Sequence, residues 1–171
     1  MKSIVNQFVK NYLRDNNLEL LDTNEDKPWG GYYIFEWANT HDKKVLWVKP
    51  GEVLSLQFHG TVQHPGHREH WLGLSRYAVF LGTEPVHEKG MEEVIDLASR
   101  TPLLRKSAGE STDIPAGHLH ALYNPYPEDI YVIEIRTSQV NEDSEAREKN
   151  ITRIFDQARR DGLPKFPPGM L

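Results

Sequence analysis

The chain has 171 residues, 38% of them hydrophobic and 26% charged, which is the composition of an ordinary globular protein with room for one domain. Its net charge of -5 argues against a nucleic-acid partner or an anionic membrane surface, and no segment has the length and apolarity of a membrane span. The chain has no cysteine, so a metal ion would need nitrogen and oxygen ligands, and its N-terminus does not resemble a signal peptide, so we expect a cytoplasmic protein.

The first predicted element is an amphipathic helix over residues 3–15. Apolar side chains recur along one stripe at helical spacing, as at Ile4, Phe8 and Tyr12. Ser3 can cap the start of this helix. The helix has a broad apolar face, which must pack against the rest of the protein.

Short apolar runs separated by turn signals follow from about residue 28. They predict strands near 31–37, 44–49, 53–59, 69–75, 77–81, 112–114, 119–123 and 130–136. Turns such as Pro50-Gly51 and Pro65-Gly66 separate them. Many short strands at this spacing indicate an all-β antiparallel sandwich or barrel.

Two more helices are predicted, a short one over residues 90–99 and a charged one over 144–160. The segment after the second helix contains three prolines and is expected to be extended. We therefore expect a single domain over 1–171, with a helical N-terminal extension over 1–26, a sheet region over about 27–140, and a C-terminal helix and tail over 141–171.

Histidines form two clusters. Four of them, including His59, lie between Gln57 and Trp71, and His118 and His120 share one face of a later strand. Because side chains alternate along a strand, Gln57 and His59 also point to one side. Inward-facing polar residues each need a partner, and one shared cation would satisfy them together. A metal site is therefore favoured over separate polar groups in the core.

If the histidine clusters point inward, an apolar strip must point outward. Its members are Leu54, Leu56, Phe58, Leu72 and Leu74. A strip of this size is rarely left in contact with water. We expect the N-terminal helix or a second copy of the chain to cover it, and therefore expect a homodimer.

Five residues match a known motif at every spacing. The second cupin motif, G-x5-P-x-G-x2-H-x3-N, is fitted by Gly109, Pro115, Gly117, His120 and Asn124. Together with the stretches VKPGEVLSLQFH, HREHW and ESTDIPAGHLHALYNP, this motif makes residues 27–156 resemble the type II phosphomannose isomerase branch of the cupins. That domain is often fused to mannose-1-phosphate guanylyltransferases.

The first cupin motif is matched less completely. Gly51 and the pair Gln57 and His59 fit its start, with glutamine where the motif has its first histidine. At position 76, where the motif has glycine, this chain has Arg76. The segment between His59 and Glu69 is also longer than in the family.

The resemblance implies a double-stranded β-helix, the cupin jelly roll, to which the predicted N-terminal and C-terminal helices would be added. It implies one divalent metal ion, for which zinc is favoured and manganese, iron or nickel are alternatives. The implied ligands are Gln57, His59, Glu69 and His120. Because of the longer segment, His64 or His67 is an alternative ligand, whereas His70 should point away.

The function implied by the resemblance is isomerisation of a sugar phosphate, foremost mannose 6-phosphate to fructose 6-phosphate through an enediolate. This reaction needs a general base, for which Glu134, His118 and His67 are the candidates in that order. Arg136 or Arg153 would bind the phosphate, because a guanidinium group matches phosphate oxygens. The expected partner is thus a small sugar phosphate.

Two other classes of function stay open. One is a non-catalytic metal-binding cupin that binds a sugar. The other is an Fe(II) dioxygenase, because two histidines and a carboxylate with open positions suit iron and oxygen. Gln57 argues against the dioxygenase, since it would fill one open position. Nucleotide-sugar epimerases share the fold but work without metal.

Overall fold

A computed structural model describes residues 6–61, 64, 66–138 and 150–171 and shows two antiparallel sheets. The strands are β1 (Asp22–Lys27), β2 (Gly30–Trp37), β3 (His41–Val48), β4 (Leu56–His59), β5 (His67–Gly73), β6 (Tyr77–Pro85), β7 (Leu103–Lys106), β8 (Ser111–Ile114), β9 (His118–Tyr123), β10 (Ile130–Ser138) and β11 (Ile151–Phe155). Six of them form one sheet in the order β1-β2-β3-β10-β5-β8, and five form the other in the order β11-β4-β9-β6-β7. The predicted double-stranded β-helix is confirmed.

The N-terminal helix α1 spans Gln7–Asp15, and its cap is Asn6, whose side chain accepts a hydrogen bond from the amide of Phe8. The expected cap Ser3 lies outside the described residues. Val9 and Leu13 of α1 pack on the outer face of the six-stranded sheet. The predicted helical extension over 1–26 is wrong beyond this helix, because β1 pairs with β2 and belongs to the sheet.

The predicted helix over 90–99 is confirmed as α2, which spans Met91–Ser99. Among the described residues, no helix combines the length and the apolarity that crossing a membrane would require.

The predicted C-terminal helix over 144–160 is wrong where the structure describes it. Residues 151–155 form β11, which pairs with β4, and Arg160–Gly162 form one turn of 3-10 helix. The apolar spacing from Ile151 to Phe155 also fits a helix, but the β-branched residues there suit a strand and the edge of β4 offers a partner. Residues 144–149 of the predicted helix lie outside the described residues.

Two parts of the chain cover the apolar strip that was expected on the outside. Leu56 and Phe58 pack with Val94 and Ala98 of α2 and with Phe166 of the C-terminal tail. Leu74 packs in the cluster beneath α1, as predicted for the N-terminal helix. The chain itself therefore buries most of this strip, which removes the reason for expecting a second copy there, and the homodimer stays a prediction.

Leu54 also departs from the expected alternation. It lies before β4 begins and lines an internal cavity, whereas its neighbour Val53 packs in the cluster beneath α2. Leu54 and Ser55 thus both reach the cavity, because residues 53–55 precede the regular strand.

The space between the two sheets is apolar at one end and polar at the other. Along β10, Ile130 and Val132 belong to a buried apolar cluster, but Glu134 and Arg136 follow on the same face. The register of the six-stranded sheet places Lys44 beside Glu134, and it places Asp42 and Glu69 on either side of Arg136. The polar end of the barrel is therefore built from matched positions on neighbouring strands.

Candidate metal centre

Three ligand-type side chains converge at the polar end, from β4, β5 and β9. The Nε2 atom of His59 lies 2.8 Å from Oε1 of Glu69 and 3.2 Å from Nε2 of His120. The Nε2 atom of His120 lies 3.5 Å from Oε2 of Glu69. All three side chains are 2% exposed, and their ligand atoms lie within 4.8 Å of one another. This group could hold a metal ion.

The protonation of the two imidazoles suits metal binding. The Nδ1 atom of His120 lies 2.9 Å from the carbonyl oxygen of His118, which can only accept, so Nδ1 is the donor and Nε2 is the ring atom that faces the centre. Burial is the main cause that lowers the pKa of His59 to about 3, so this ring is neutral near pH 7. A metal ion bound here would replace the proton between His59 and Glu69, since metal ligands must be deprotonated.

Glu69 is the acidic member of the group and is ionised. Burial raises its pKa, but attraction from His120 and His59, together with hydrogen bonds from His59 and His67, outweighs burial and holds the pKa of Glu69 well below its usual range. The indole of Trp71 donates to Oε2 of Glu69 at 2.8 Å and fixes the carboxylate. The donor set is therefore one carboxylate and two imidazoles, a combination that binds zinc, manganese, iron or nickel.

Gln57, the fourth expected ligand, lies beside His120 in the register of β4 and β9 and lines the cavity next to the centre. Its Oε1 accepts a hydrogen bond from the hydroxyl of Ser55 at 2.8 Å. The structure thus places Gln57 within the site, and its role as a ligand stays a prediction.

The other histidines lie around this group in different ways. His67 is buried and lies against His59, with ring centroids 3.8 Å apart and the rings tilted by 36°. Its Nε2 lies 3.3 Å from Oε1 of Glu69. His64 is exposed, and His70 faces outward, where its ring bonds with Asp113 at 2.8 Å. His118 is not among the residues that line the cavity, and its Nδ1 lies 3.1 Å from the carbonyl oxygen of Gly82. Neither His67 nor His118 is among the residues that line the cavity, and their role as general base stays a prediction.

A cavity of about 270 Å³ opens beside His59 and Glu69. Its other polar lining residues are Asp22, Lys27, Lys44, Ser55, Gln57, Glu134, Arg136, Arg153 and Arg160. Aromatic side chains, among them Trp29, Tyr32 and Trp37, line the same space. A small polar molecule could therefore lie against the candidate metal centre.

Glu134 is the buried acid of this cavity that does not belong to the candidate metal centre. Its Oε1 lies 2.8 Å from Nζ of Lys44 and 3.8 Å from Nε of Arg136. Both contacts are made through Oε1, so neither cation engages Oε2. Burial raises the pKa of Glu134 to about 7, the charge of Glu69 adds to the rise, and Lys44 and Arg136 oppose it. Glu134 can therefore take up and release a proton near neutral pH.

The two arginines expected to bind phosphate have different surroundings. Arg136 is 2% exposed and donates two hydrogen bonds to Asp42, at 2.9 and 3.0 Å. Arg153 lies beside Gln57 in the register of β11 and β4, and its buried Nε has no hydrogen-bond partner among the described residues. Arg136 is thus already neutralised, whereas Arg153 has donor capacity to spare.

Sequence reasoning did not single out Lys44 or Asp42. Both lie in β3, where they alternate with Lys43 and Val45 and share the inward face with Leu46. Alternation along the predicted strand over 44–49 puts Lys44 on the same face as Leu46 and Val48, which are apolar core residues. The sequence therefore contained a signal that Lys44 faces inward. Asp42 lies outside that predicted strand, so the sequence offered no comparable signal for it.

Comparison with known proteins gives the family of this chain. A family model described as Mannose-6-phosphate isomerase C-terminal matches residues 14–154. The chain is 29% identical over 160 residues to a mannose-1-phosphate guanylyltransferase of Sinorhizobium fredii, which covers 92% of this chain and 26% of that protein. It is 32% identical over 135 residues to a protein of the same name from Escherichia coli K12, with 78% of this chain and 22% of that protein covered.

A third relative is the xanthan biosynthesis protein XanB of Xanthomonas campestris, 35% identical over 123 residues, with 71% of this chain and 21% of that protein covered. The chain thus spans about a fifth to a quarter of the length of these relatives. A crystal structure of CapF with the inhibitor 3-isopropenyl-tropolone shares the fold, with a TM-score of 0.53, 18% identity, and coverage of 79% of this chain and 34% of that chain. The chain is a cupin that belongs to the family of mannose-6-phosphate isomerase C-terminal domains.

Proposed function

We propose that the protein is a metal-dependent isomerase that converts an aldose phosphate into a ketose phosphate, foremost mannose 6-phosphate into fructose 6-phosphate. One observation carries this proposal: the carboxylate of Glu134 lines the same cavity as His59 and Glu69, two of the three residues that could hold a metal ion. Aldose–ketose isomerisation needs both a stabiliser of negative charge and a base that moves a carbon-bound proton.

His59, Glu69 and His120 would hold the metal ion, with Gln57 as the fourth ligand. A bound divalent cation would stabilise the negative charge that develops on the substrate oxygens in an enediolate. Zinc is our first choice because it favours four ligands of this kind, and manganese, iron and nickel are alternatives.

Glu134 is the general base in this proposal. Lys44 and Arg136 hold its Oε1, so the carboxyl group is fixed, while Oε2 is left for a substrate proton. Its pKa of about 7 allows it both to remove a proton and to return it near neutral pH. Glu134 would take the proton from C2 of the aldose and deliver it to C1.

Arg153 would bind the phosphate. Its unpartnered Nε and its place beside Gln57 put a guanidinium group one strand away from the candidate metal centre, a separation of roughly 5 Å between strands. Charge-assisted hydrogen bonds from a guanidinium fork suit phosphate oxygens. Arg136 is a weaker candidate, because Asp42 already binds two of its donors.

A sugar-binding module without isomerase activity is the second candidate. It is favoured because the relatives are named as guanylyltransferases and a xanthan biosynthesis protein rather than as isomerases. Each of these relatives is several times longer than this chain. The donor set would then hold a cation that helps to bind the sugar.

The test is an isomerase assay on protein stripped of metal and then loaded separately with zinc, manganese, nickel or iron. We expect mannose 6-phosphate to be converted into fructose 6-phosphate with at least one metal. Binding of mannose 6-phosphate without conversion by any of the four forms would support the binding module instead. Consumption of oxygen by the iron form would support the dioxygenase.

A further inference from the structure

Lys44 is a buried lysine that faces the cavity. Lys44 is 8% exposed. Its Nζ lies 2.8 Å from Oε1 of Glu134 and 5.8 Å from the centroid of the Tyr32 ring. A buried ammonium group needs a partner of opposite charge, which Glu134 provides. Both members of this ion pair line the cavity, so both can reach a molecule bound there.

The proposed isomerisation moves two protons rather than one. A carbon-bound proton passes from C2 to C1, and a hydroxyl proton passes from the oxygen on C2 to the oxygen on C1. The Oε2 atom of Glu134, which neither Lys44 nor Arg136 engages, is occupied by the carbon-bound proton during the reaction. The hydroxyl proton therefore needs a second carrier.

We propose that Lys44 is the second proton carrier of the reaction, an inference that rests on the proposed isomerase function. As Glu134 removes the proton from C2, the electron pair of that bond forms a double bond between C1 and C2, and the carbonyl electrons move to the oxygen on C1. The ammonium group of Lys44 gives a proton to that oxygen. The resulting amine then takes the proton from the oxygen on C2 while Glu134 returns its proton to C1. Both residues end as they began.

The ion pair makes these transfers compatible with burial. The pair begins as a carboxylate and an ammonium, becomes a neutral acid and a neutral amine when the enediol forms, and is restored at the end. Its total charge stays zero, so no uncompensated charge appears in the buried site. Arg136, the other cation at Glu134, cannot serve, because a guanidinium group does not release its proton in proteins.

The experiment compares Lys44→Met with wild type, using mannose 6-phosphate that carries deuterium at C2. Two rates are measured by NMR: loss of that deuterium to water, and formation of fructose 6-phosphate. Lys43→Met is the matched control, because Lys43 is the next residue and faces outward, where it binds Glu36 at 2.9 Å. Circular dichroism and metal content show whether each variant folds and loads normally, and Lys44→Arg serves if Lys44→Met does not fold.

We expect Lys44→Met to form fructose 6-phosphate about 10²-fold more slowly or worse, which is the usual effect of losing an acid–base group, while deuterium loss continues at a measurable rate. Lys44→Arg should behave in the same way, because arginine keeps the charge but cannot release the proton. Isomerisation within threefold of wild type in Lys44→Met would overturn the inference.

A parallel loss of both rates in folded, metal-loaded protein would overturn it as well, since Lys44 would then act only by positioning Glu134. Failure of the proposed function is a different result. In that case wild type and Lys43→Met form no fructose 6-phosphate with any metal, and the inference falls together with the function on which it rests.

Discussion

At the scale of single residues, the proposed function depends most on Glu134. Replacing it with glutamine keeps the size and polarity of the side chain but removes the base. We expect kcat for mannose 6-phosphate to fall about 10²- to 10⁴-fold, the range for loss of a general base. The coupled isomerase assay measures this, and metal content should be unchanged. Full activity in E134Q would assign the base to another residue.

Arg153 allows a test of the phosphate site. Arg153→Met should raise KM for mannose 6-phosphate about 10- to 100-fold, because a charged hydrogen bond contributes about 1.5–3 kcal/mol. Binding of mannose, which has no phosphate, should not change. Calorimetric titration of both sugars into R153M and wild type separates the two effects. An equal loss for both sugars would mean that Arg153 shapes the cavity rather than binding phosphate.

Glu134 also predicts a pH dependence of stability in the metal-free protein. Its pKa of about 7 in the folded state lies above its ordinary value of 4.5, because of burial and the facing charge of Glu69, with Lys44 and Arg136 opposing. Between these pH values the folded state binds more protons than the unfolded chain, so the free energy of unfolding falls as pH rises through 7.

Urea unfolding of metal-free wild type and E134Q from pH 4.5 to pH 8 measures this contribution. We expect wild type to lose up to about 3 kcal/mol relative to E134Q over this range, since one pKa unit corresponds to about 1.4 kcal/mol. Parallel curves for the two proteins would show that Glu134 ionises at the same pH folded and unfolded.

The sequence predicted the residues of the candidate metal centre better than the rest of the cavity. His59 and His120 stand in motifs with fixed spacing, and strand alternation placed Glu69 on the inward face. Lys44 belongs to no motif, and its proposed role follows from the register that sets it beside Glu134. Register joins β3 to β10, which are far apart in the chain, so local alternation could show that Lys44 faces inward but not that Glu134 is its neighbour.

At the scale of elements, β11 connects the stability of the fold to the cavity. This strand carries Arg153, and its last residue, Phe155, packs against Phe166 of the tail with ring centroids 5.9 Å apart. Phe166 also packs against Phe80 at 5.8 Å. The tail therefore holds the edge strand of the five-stranded sheet in place.

Phe166→Ala tests this role of the tail. Truncating a buried phenylalanine usually costs about 3–5 kcal/mol, and we expect a loss of this size in the free energy of unfolding. Leu171→Ala is the control, because Leu171 is 43% exposed and its truncation should change stability by about 0.5 kcal/mol or less. Urea denaturation measures both. A small effect in F166A would mean that the tail is not part of the core.

The elements that the sequence failed to predict are those whose patterns are weak or ambiguous. β1 consists entirely of polar residues (DTNEDK), so no apolar alternation marks it, and its pairing with β2 defines it. β7 has four residues at the edge of its sheet. β11 shows an apolar spacing that fits both helix and strand. In each case, pairing with a neighbouring strand decides the structure.

At the scale of the whole molecule, the two sheets meet so that one end of the barrel is an apolar core and the other holds the cavity. The five-stranded sheet contributes His59, His120 and Arg153, and the six-stranded sheet contributes Glu69 and Glu134. Neither sheet could form the site alone. Binding of a metal ion between the sheets should therefore stabilise the folded state as a whole.

Anomalous scattering from a crystal grown with zinc, recorded above and below the zinc absorption edge, tests the central claim most directly. The account predicts a single strong peak about 2.0–2.2 Å from Nε2 of His59, Nε2 of His120 and a carboxylate oxygen of Glu69. A map without a peak between these side chains, or with zinc bound only elsewhere on the protein, would contradict it.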